Sequence, residues 1–362
     1  MGKADKISMR QLAIMIFLSL LSPVIRILPR SAVYLGGAPA WLSPIPAAAI
    51  GVAYLLALRP LLKNRLPDEG LGQLLERSLG KAAGKAVAAL CALWLTFYTG
   101  FVLRSAAERL LSAVYGEGNT IVFIIVSIII SMLGAVGLTK SLGRTVEIAA
   151  PVIVAVFVLV VIFSATDINP DYLLPVTYLD TGAIALGAVP MIDILSFSTF
   201  FLFLLGHTRI LEKDKKYEIK WMLYLMLAAL GVMVVTVGGC SAPLSLKLQN
   251  AFFTMIRNIT VFGVVERVEA LVVALWVVTD FALLASVLMI VSEIWRGVAG
   301  TPHRRAFVYP TAAAAAICAI VISPDAFDLQ LWSELVIPAV NLLFAFIVIP
   351  LVLVIGKLRK KI

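Results

Sequence analysis

Apolar residues gather in ten long runs separated by short polar stretches. A run of about 20 apolar residues crosses a bilayer as a helix. The pattern predicts spans over about 8–34, 40–62, 82–114, 120–138, 144–165, 183–206, 219–240, 262–296, 305–322 and 333–356. Runs 82–114 and 262–296 are too long for an upright crossing and are expected to tilt. Two intervening stretches have a helical period instead. Leu71, Leu74, Leu75 and Leu79 share one face of 67–80, opposite Glu76 and Arg77. Leu248, Phe252, Met255, Ile256 and Ile259 share a face of 244–259. Both are expected as amphipathic helices on the membrane surface. DINPDYLLPVTYLD, 167–180, reads as an acidic loop. Ala38-Pro39-Ala40 resembles a signal-peptidase site, but Pro23, Arg26, Pro29 and Arg30 interrupt the apolar region before it. The first run is therefore expected to stay as an uncleaved span.

The first and sixth runs break the apolar pattern at mid-depth. Ser22-Pro23 interrupts span 1, with Pro29 following, and Pro190 and Asp193 interrupt span 6. Proline removes a backbone donor, and in lipid the freed carbonyl needs a protein or water partner. Spans 3 and 8 are the overlong pair, and a surface helix precedes each. These pairings predict an all-α polytopic membrane protein of ten helices, one domain over 1–362. It is built as a 5+5 inverted repeat, about 8–165 and 183–356, with spans 1 and 6 broken. In that architecture a small-molecule site lies between the interrupted helices. A plain proline kink packed against neighbours is the alternative at either break.

Composition agrees. Hydrophobic residues make up 61% and charged residues 14%, with a mean hydropathy of +1.02; a soluble domain carries about 25% charged residues. The net charge of +9 is explained by topology rather than by a nucleic-acid partner. Most of the 30 Lys and Arg fall in alternate loops and both tails. Arg26, Arg30, Lys247 and Arg257 are expected on the opposite side, and Arg104, Arg109 and Arg267 within spans. Positive loops stay inside, so both termini are expected to be cytoplasmic. Cys91, Cys240 and Cys318 lie in apolar stretches without metal-ligand spacing. His207 and His303 sit in short basic loops and give histidine chemistry little to work with. No HExxH, GxSxG or glycine-rich nucleotide loop is present, and the Ser78/Lys81 S-x-x-K ends a surface helix. No enzyme activity, cofactor or metal is expected.

Several stretches resemble one family. ISMRQLAI (7–14), ILPRSAVYLGGAPAWLSP (27–44), LGKAAGK (79–85), GLTKSLGRTVEIAAP (137–151), DINPDYLLPV (167–176) and GVVERVEALVVALW (263–276) resemble the spore germination permeases of the GerAB type. The resemblance implies the amino acid–polyamine–organocation superfamily and its leucine-transporter-like 5+5 fold. It implies a membrane-embedded B subunit of a nutrient germinant receptor in the inner spore membrane, recognising an amino acid or similar metabolite. The implied partners are a larger membrane A subunit and a lipoprotein C subunit. The same fold in a bacterial cell membrane also serves stand-alone, proton-coupled amino-acid transporters. Two positions differ from the usual pattern. Leu21-Ser22-Pro23-Val24 stands where the superfamily has a Gly-rich break, and Met191-Ile192-Asp193-Ile194 where relatives show a Gly-Glu pair.

Asp193 is the sharpest candidate, because a carboxylate at mid-membrane needs water, a cation or a partner. It would bind a substrate ammonium, carry a proton, or cap the broken half-helix. Asp280, near the middle of span 8 beside Thr279, is the second coupling candidate or a structural hydrogen-bonding group. Proton-coupled relatives place a lysine from span 5 near spans 1 and 8; Pro151 to Phe163 has none here. Leu21, Ser22 and Pro23, Tyr98 and Thr99, Pro190 and Trp276 are expected to line the ligand pocket. Arg26, Arg104, Glu108, Arg109, Glu266, Arg267 and Glu269 are expected to form a charged outer gate, or ion pairs tying tilted helices. Arg104 and Glu108 can pair at i, i+4. Arg144 and Glu147 read as a structural pair.

Overall fold

The computed structural model describes residues 5–63, 66, 68–115, 118–211, 214, 216–257, 269–322, 326–359 and 361. Its helices are α1 (Met9–Arg26), α2 (Leu28–Gly36), α3 (Pro44–Lys63), α4 (Leu71–Leu79), α5 (Lys81–Leu110), α6 (Thr120–Val136) and α7 (Thr139–Ser164). There follow α8 (Thr181–Gly187), α9 (Val189–Ser196), α10 (Tyr217–Cys240), α11 (Ala242–Lys247), α12 (Ala251–Arg257) and α13 (Glu269–Ala299). The last are α14 (Arg305–Val321), α15 (Ala326–Leu331), α16 (Ile337–Leu343) and α17 (Ile349–Leu358). Seven helical segments are long and apolar enough to cross a membrane: Met9–Arg26, Lys81–Ala113, Thr139–Asp167, Tyr178–His207, Tyr217–Cys240, Glu269–Ala299 and Leu329–Leu358. α3, α6 and α14 are shorter apolar helices. The chain is thus an all-α polytopic membrane protein.

α1 opens with a capping box. Ser8 Oγ accepts the Gln11 amide, and Gln11 Oε1 accepts the Ser8 amide, each at 3.1 Å. The helix then runs through Pro23 and breaks at Ile27, one turn later than the apolar pattern predicts. Pro23 has no N–H for the Ser19 carbonyl, yet its own carbonyl takes the Ile27 amide at 2.8 Å, so the helix carries on. Pro29 fits the first turn of α2, where a missing donor costs little. Span 6 is interrupted at Ala188, with Pro190 opening α9. Phe197–His207 then continues as a 3₁₀ helix. Eleven residues is long for that geometry, which usually marks strain or a hinge. Its phenylalanines are buried, and Phe200 stacks on Phe344 at 4.5 Å.

The half after the first break meets the half before the second. Gly36 of α2 faces Gly187 of α8, and a Cβ at Gly36 would lie 3.1 Å from the Gly187 Cα. Only glycine allows that approach. Two short strands, β1 (Ile7–Ser8) and β2 (Thr208–Arg209), pair in parallel and tie the entry of α1 to the exit of the 3₁₀ helix. Nothing in the apolar pattern signals them. The core forms around α13, which is buried without a break from Ala282 to Ile294. α6 and α7 instead present exposed apolar rows, among them Ile125, Ile129, Leu133, Val152 and Ile162, a surface suited to hydrocarbon.

The two amphipathic stretches differ from expectation. α4 starts at Leu71, and its apolar face, with Leu71, Leu74 and Leu75, is buried in the protein core rather than left to lipid. The stretch 244–259 is two short helices broken at Leu248–Asn250, with Phe252, Met255 and Ile256 in the core; Ile259 lies outside the described residues. The segment 167–180 folds into short 3₁₀ turns.

Candidate functional site

The polar centre of the molecule is built on Asp280 of α13, buried at 7% exposure. Ser22 Oγ of α1 donates to its Oδ1, and Arg109 Nη2 of α5 donates to its Oδ2 at 2.5 Å. The Arg109 guanidinium lies 5.5 Å from the Trp276 ring centroid, a cation–π contact one turn before Asp280. Both carboxylate oxygens are thus engaged by protein groups. Arg26, in the last turn of α1, donates from Nη1 to Ser105 Oγ at 2.6 Å, and its guanidinium lies 5.7 Å from the Phe101 centroid. Arg109 Nη1 also approaches Ser105 Oγ, at 3.5 Å. Two guanidiniums therefore meet on one hydroxyl.

Arg26, Phe101, Ser105 and Arg109 border a cavity of about 80 Å³ beside the Ile27 break. Its walls come from α1 and α2, from α5 through Ser105, Glu108 and Arg109, and from Gln249 and Asn250 at the α11–α12 break. Ser333 and Glu334 complete it from a π-helical turn, Trp332–Val336. Such turns are frequent at functional sites. Arg104 pairs with Glu108 at 2.7 Å, and Arg30 faces Glu334 at 3.6 Å.

Asp193 forms a separate node. It is buried at 8% exposure, and Asn341 Nδ2 of α16 donates to its Oδ1 at 3.0 Å. Asn341 Oδ1 in turn accepts from Trp94 Nε1 at 3.3 Å. Tyr98, packed 4.5 Å from the Phe197 ring, lies on α5 between Trp94 of the Asp193 node and Arg109 of the Asp280 node.

Leu21, Ser22, Pro23, Thr99 and Pro190 are all buried, but Thr99 spends its hydroxyl on the Leu95 carbonyl of its own helix. Trp276 is 1% exposed and packs 5.0 Å from Phe253. Of the seven gate residues, the structure brings Arg26, Arg104, Glu108 and Arg109 together. Glu269 is half-buried in the first turn of α13, and Glu266 and Arg267 lie outside the described residues. Ser105, Trp94 and Asn341 are not reached by sequence reasoning, since neutral side chains on apolar helices give no charge or spacing signal. Arg144 and Glu147 do not pair: Glu147 is held by Arg10 at 2.6 Å and Gln11 at 2.8 Å, while Arg144 points outward. His207 is not in a solvated loop but buried, 3.2 Å from Glu293 Oε1. Among the described residues no His, Cys, Asp and Glu group is placed to hold a metal ion.

Residues 6–327 match the family described as spore germination protein, Spore_permease. The chain belongs to that family. Compared with the curated proteins, it matches none. The spore germination family is one of membrane receptors and permeases, so this member is an integral membrane protein of that kind; its Asp280 centre is built from α1, α5 and α13, all within the matched residues, while Asn341 of α16 lies beyond them.

Proposed function

We propose that this chain is the membrane-embedded ligand-sensing subunit of a nutrient germinant receptor. It binds an amino acid or similar metabolite between spans 1, 3, 6 and 8 and so triggers germination. The reading counts α3, α6 and α14 with the seven longer segments as ten spans in a 5+5 inverted repeat, both termini cytoplasmic. It places the chain in the inner spore membrane beside A-type and C-type receptor subunits. One observation carries it: in a spore germination family member, Ser22 of the broken span 1 and Arg109 of the overlong span 3 both donate to Asp280 of span 8, while Tyr98 of span 3 packs on Phe197 of span 6. Polar groups of broken and overlong helices thus converge in the buried interior, as at the site of an inverted-repeat transporter. Leu21, Ser22, Pro23, Thr99, Pro190 and Trp276 form the apolar and backbone walls. Ligand binding would favour one arrangement of the broken spans, which partner subunits read.

The second reading is a stand-alone proton-coupled transporter. Asp280 is engaged by both Ser22 and Arg109, whereas Asp193 has a single side-chain donor. Uptake of labelled amino acids into proteoliposomes containing only this chain separates the readings. The receptor reading expects ligand-dependent thermal stabilisation without gradient-driven accumulation; accumulation driven by a proton gradient supports the transporter. Asp193→Asn is expected to weaken either response, and an unchanged response would remove Asp193 from the site.

A further inference from the structure

An apolar crevice, separate from the buried polar centre, lies at the end of the molecule where α1 begins. It holds about 50 Å³, between α3, α10, the start of α1 and the 3₁₀ helix Phe197–His207. Each wall follows the period of its own element. Met9, Leu12 and Ile16 of α1 are three and four residues apart, as are Leu55, Leu58 and Arg59 of α3 relative to one another's turns. Thr199, Leu202 and Leu205 recur every third residue, the repeat of a 3₁₀ helix. Tyr54 Oη donates to the Ala345 carbonyl at 3.1 Å and lies 3.0 Å from Thr199 Oγ1. Both hydroxyls are thus engaged, and the wall around them is mostly hydrocarbon. Past Tyr54 and Trp221 a smaller space of about 10 Å³ reaches Gly51 and Met222. It stops there, since even a Cβ at Gly51 would lie 2.6 Å from Met222 Sδ.

The mouth of the crevice is charged. Arg59 stands near the end of α3 and Glu218 in the first turn of α10. Arg59 is exposed and Glu218 half-buried, and neither has an ion-pair or hydrogen-bond partner among the described residues. Charged side chains at the ends of spans sit at headgroup level. One free cation and one free anion at the mouth of a hydrocarbon crevice complement a headgroup that carries a phosphate and an ammonium together. Leu56 of α3 and Tyr224 and Leu227 of α10 are exposed, so the outer faces of both walls suit lipid. The crevice takes roughly four waters, or a short stretch of hydrocarbon chain of like bulk. The rest of such a chain has those exposed faces to lie against.

We propose that this crevice is a lipid site. It takes one acyl chain of a zwitterionic phospholipid whose phosphate meets Arg59 and whose primary ammonium meets Glu218. The chain packs on the 3₁₀ half of span 6, where internal hydrogen bonds are weakest. The site is apart from the Asp280 and Asp193 nodes and stands whether the protein senses or transports.

Native mass spectrometry of the full chain, stripped of lipid in detergent, tests this. The probes are phosphatidylethanolamine, phosphatidylcholine and phosphatidylglycerol with oleoyl chains, and free oleate. The ethanolamine lipid should be retained most, because choline offers the carboxylate no N–H and glycerol brings no cation. Arg59→Gln should lower its retention by about 3- to 10-fold, and Glu218→Gln should erase its lead over phosphatidylglycerol. Leu55→Trp fills the crevice, spares the rim, and should lower retention of all three phospholipids. Equal retention of the three, or a preference for phosphatidylglycerol, overturns the inference. Oleate held as well as the ethanolamine lipid overturns it too, by showing that only the chain is read. Unchanged retention in both rim variants, or in a folded Leu55→Trp, places the lipid elsewhere and also overturns it. Retention of none of the probes does the same and leaves the crevice to an apolar partner helix. The headgroup comparison needs no variant and the rim variants change only charge, so the test stands even if Leu55→Trp fails to fold.

Discussion

Asn341 donates a 3.0 Å hydrogen bond to Asp193, so the carboxylate of span 6 is held by a helix 148 residues further along the chain. Removing the donor leaves a buried acceptor unsatisfied, which costs about 1–3 kcal/mol. Asn341→Leu is therefore expected to lower the melting temperature, and Asp193→Leu with Asn341→Leu to recover part of the loss. A double-mutant cycle on thermal unfolding reads the coupling. Additive effects would show that the two side chains act independently.

The Arg109–Asp280 pair should behave more sharply. Both partners are buried, and Ser22 donates to the same carboxylate. Asp280→Asn or Arg109→Met each strands a partner and is expected to destabilise by about 3–5 kcal/mol. The combined Arg109→Met/Asp280→Leu variant should approach the unsubstituted stability while losing any ligand response. A pair that contributes nothing would show two nearly silent single variants in the same melt.

Gly36 and Gly187 set how closely α2 approaches α8. A methyl group at Gly36 would press on the Ala183 carbonyl as well as the Gly187 backbone. Gly36→Ala is expected to cost about 1–3 kcal/mol as overpacking. It should also blunt ligand response without touching a cavity group. Ligand titrations of this variant against Gly182→Ala, where a Cβ meets nothing within 4 Å, separate close packing from a general glycine effect.

The helical framework is legible in the chain because lipid imposes it: long apolar runs have few alternatives to helix. Pro190 marks the span 6 interruption within two residues of Ala188 for the same reason. Pro23 misleads by one turn, because a proline removes one donor while the carbonyls around it still find partners, and the break falls at Ile27 instead. The i, i+4 spacing of Arg104 and Glu108 reveals their pair, since it depends on one helix alone. Glu147 goes to Arg10 rather than to its neighbour Arg144 because α1 and α7 pack together, which local spacing does not encode. Asn341 and Ser105 stay silent for that reason: each matters only through what folding sets against it.

Glu293 ties the far end of the site together. It lies 3.2 Å from His207 at the close of the 3₁₀ helix and accepts from Arg296 Nε at 2.9 Å. The parallel pairing of Ile7–Ser8 with Thr208–Arg209 and the Lys6–Asp68 ion pair hold the neighbouring chain. A 3₁₀ helix has weaker internal hydrogen bonds than an α-helix, so such ties have a large share in keeping it closed. Glu293→Gln keeps the size of the side chain but removes the charge that His207 and Arg296 face. It is expected to lower hydrogen-exchange protection across 197–207 while leaving the middle of α13 protected, because local opening follows local ties. Exchange measured by mass spectrometry on the full chain checks this. Unchanged protection over 197–207 would mean that aromatic packing, led by Phe200 on Phe344, holds the segment without the charged tie.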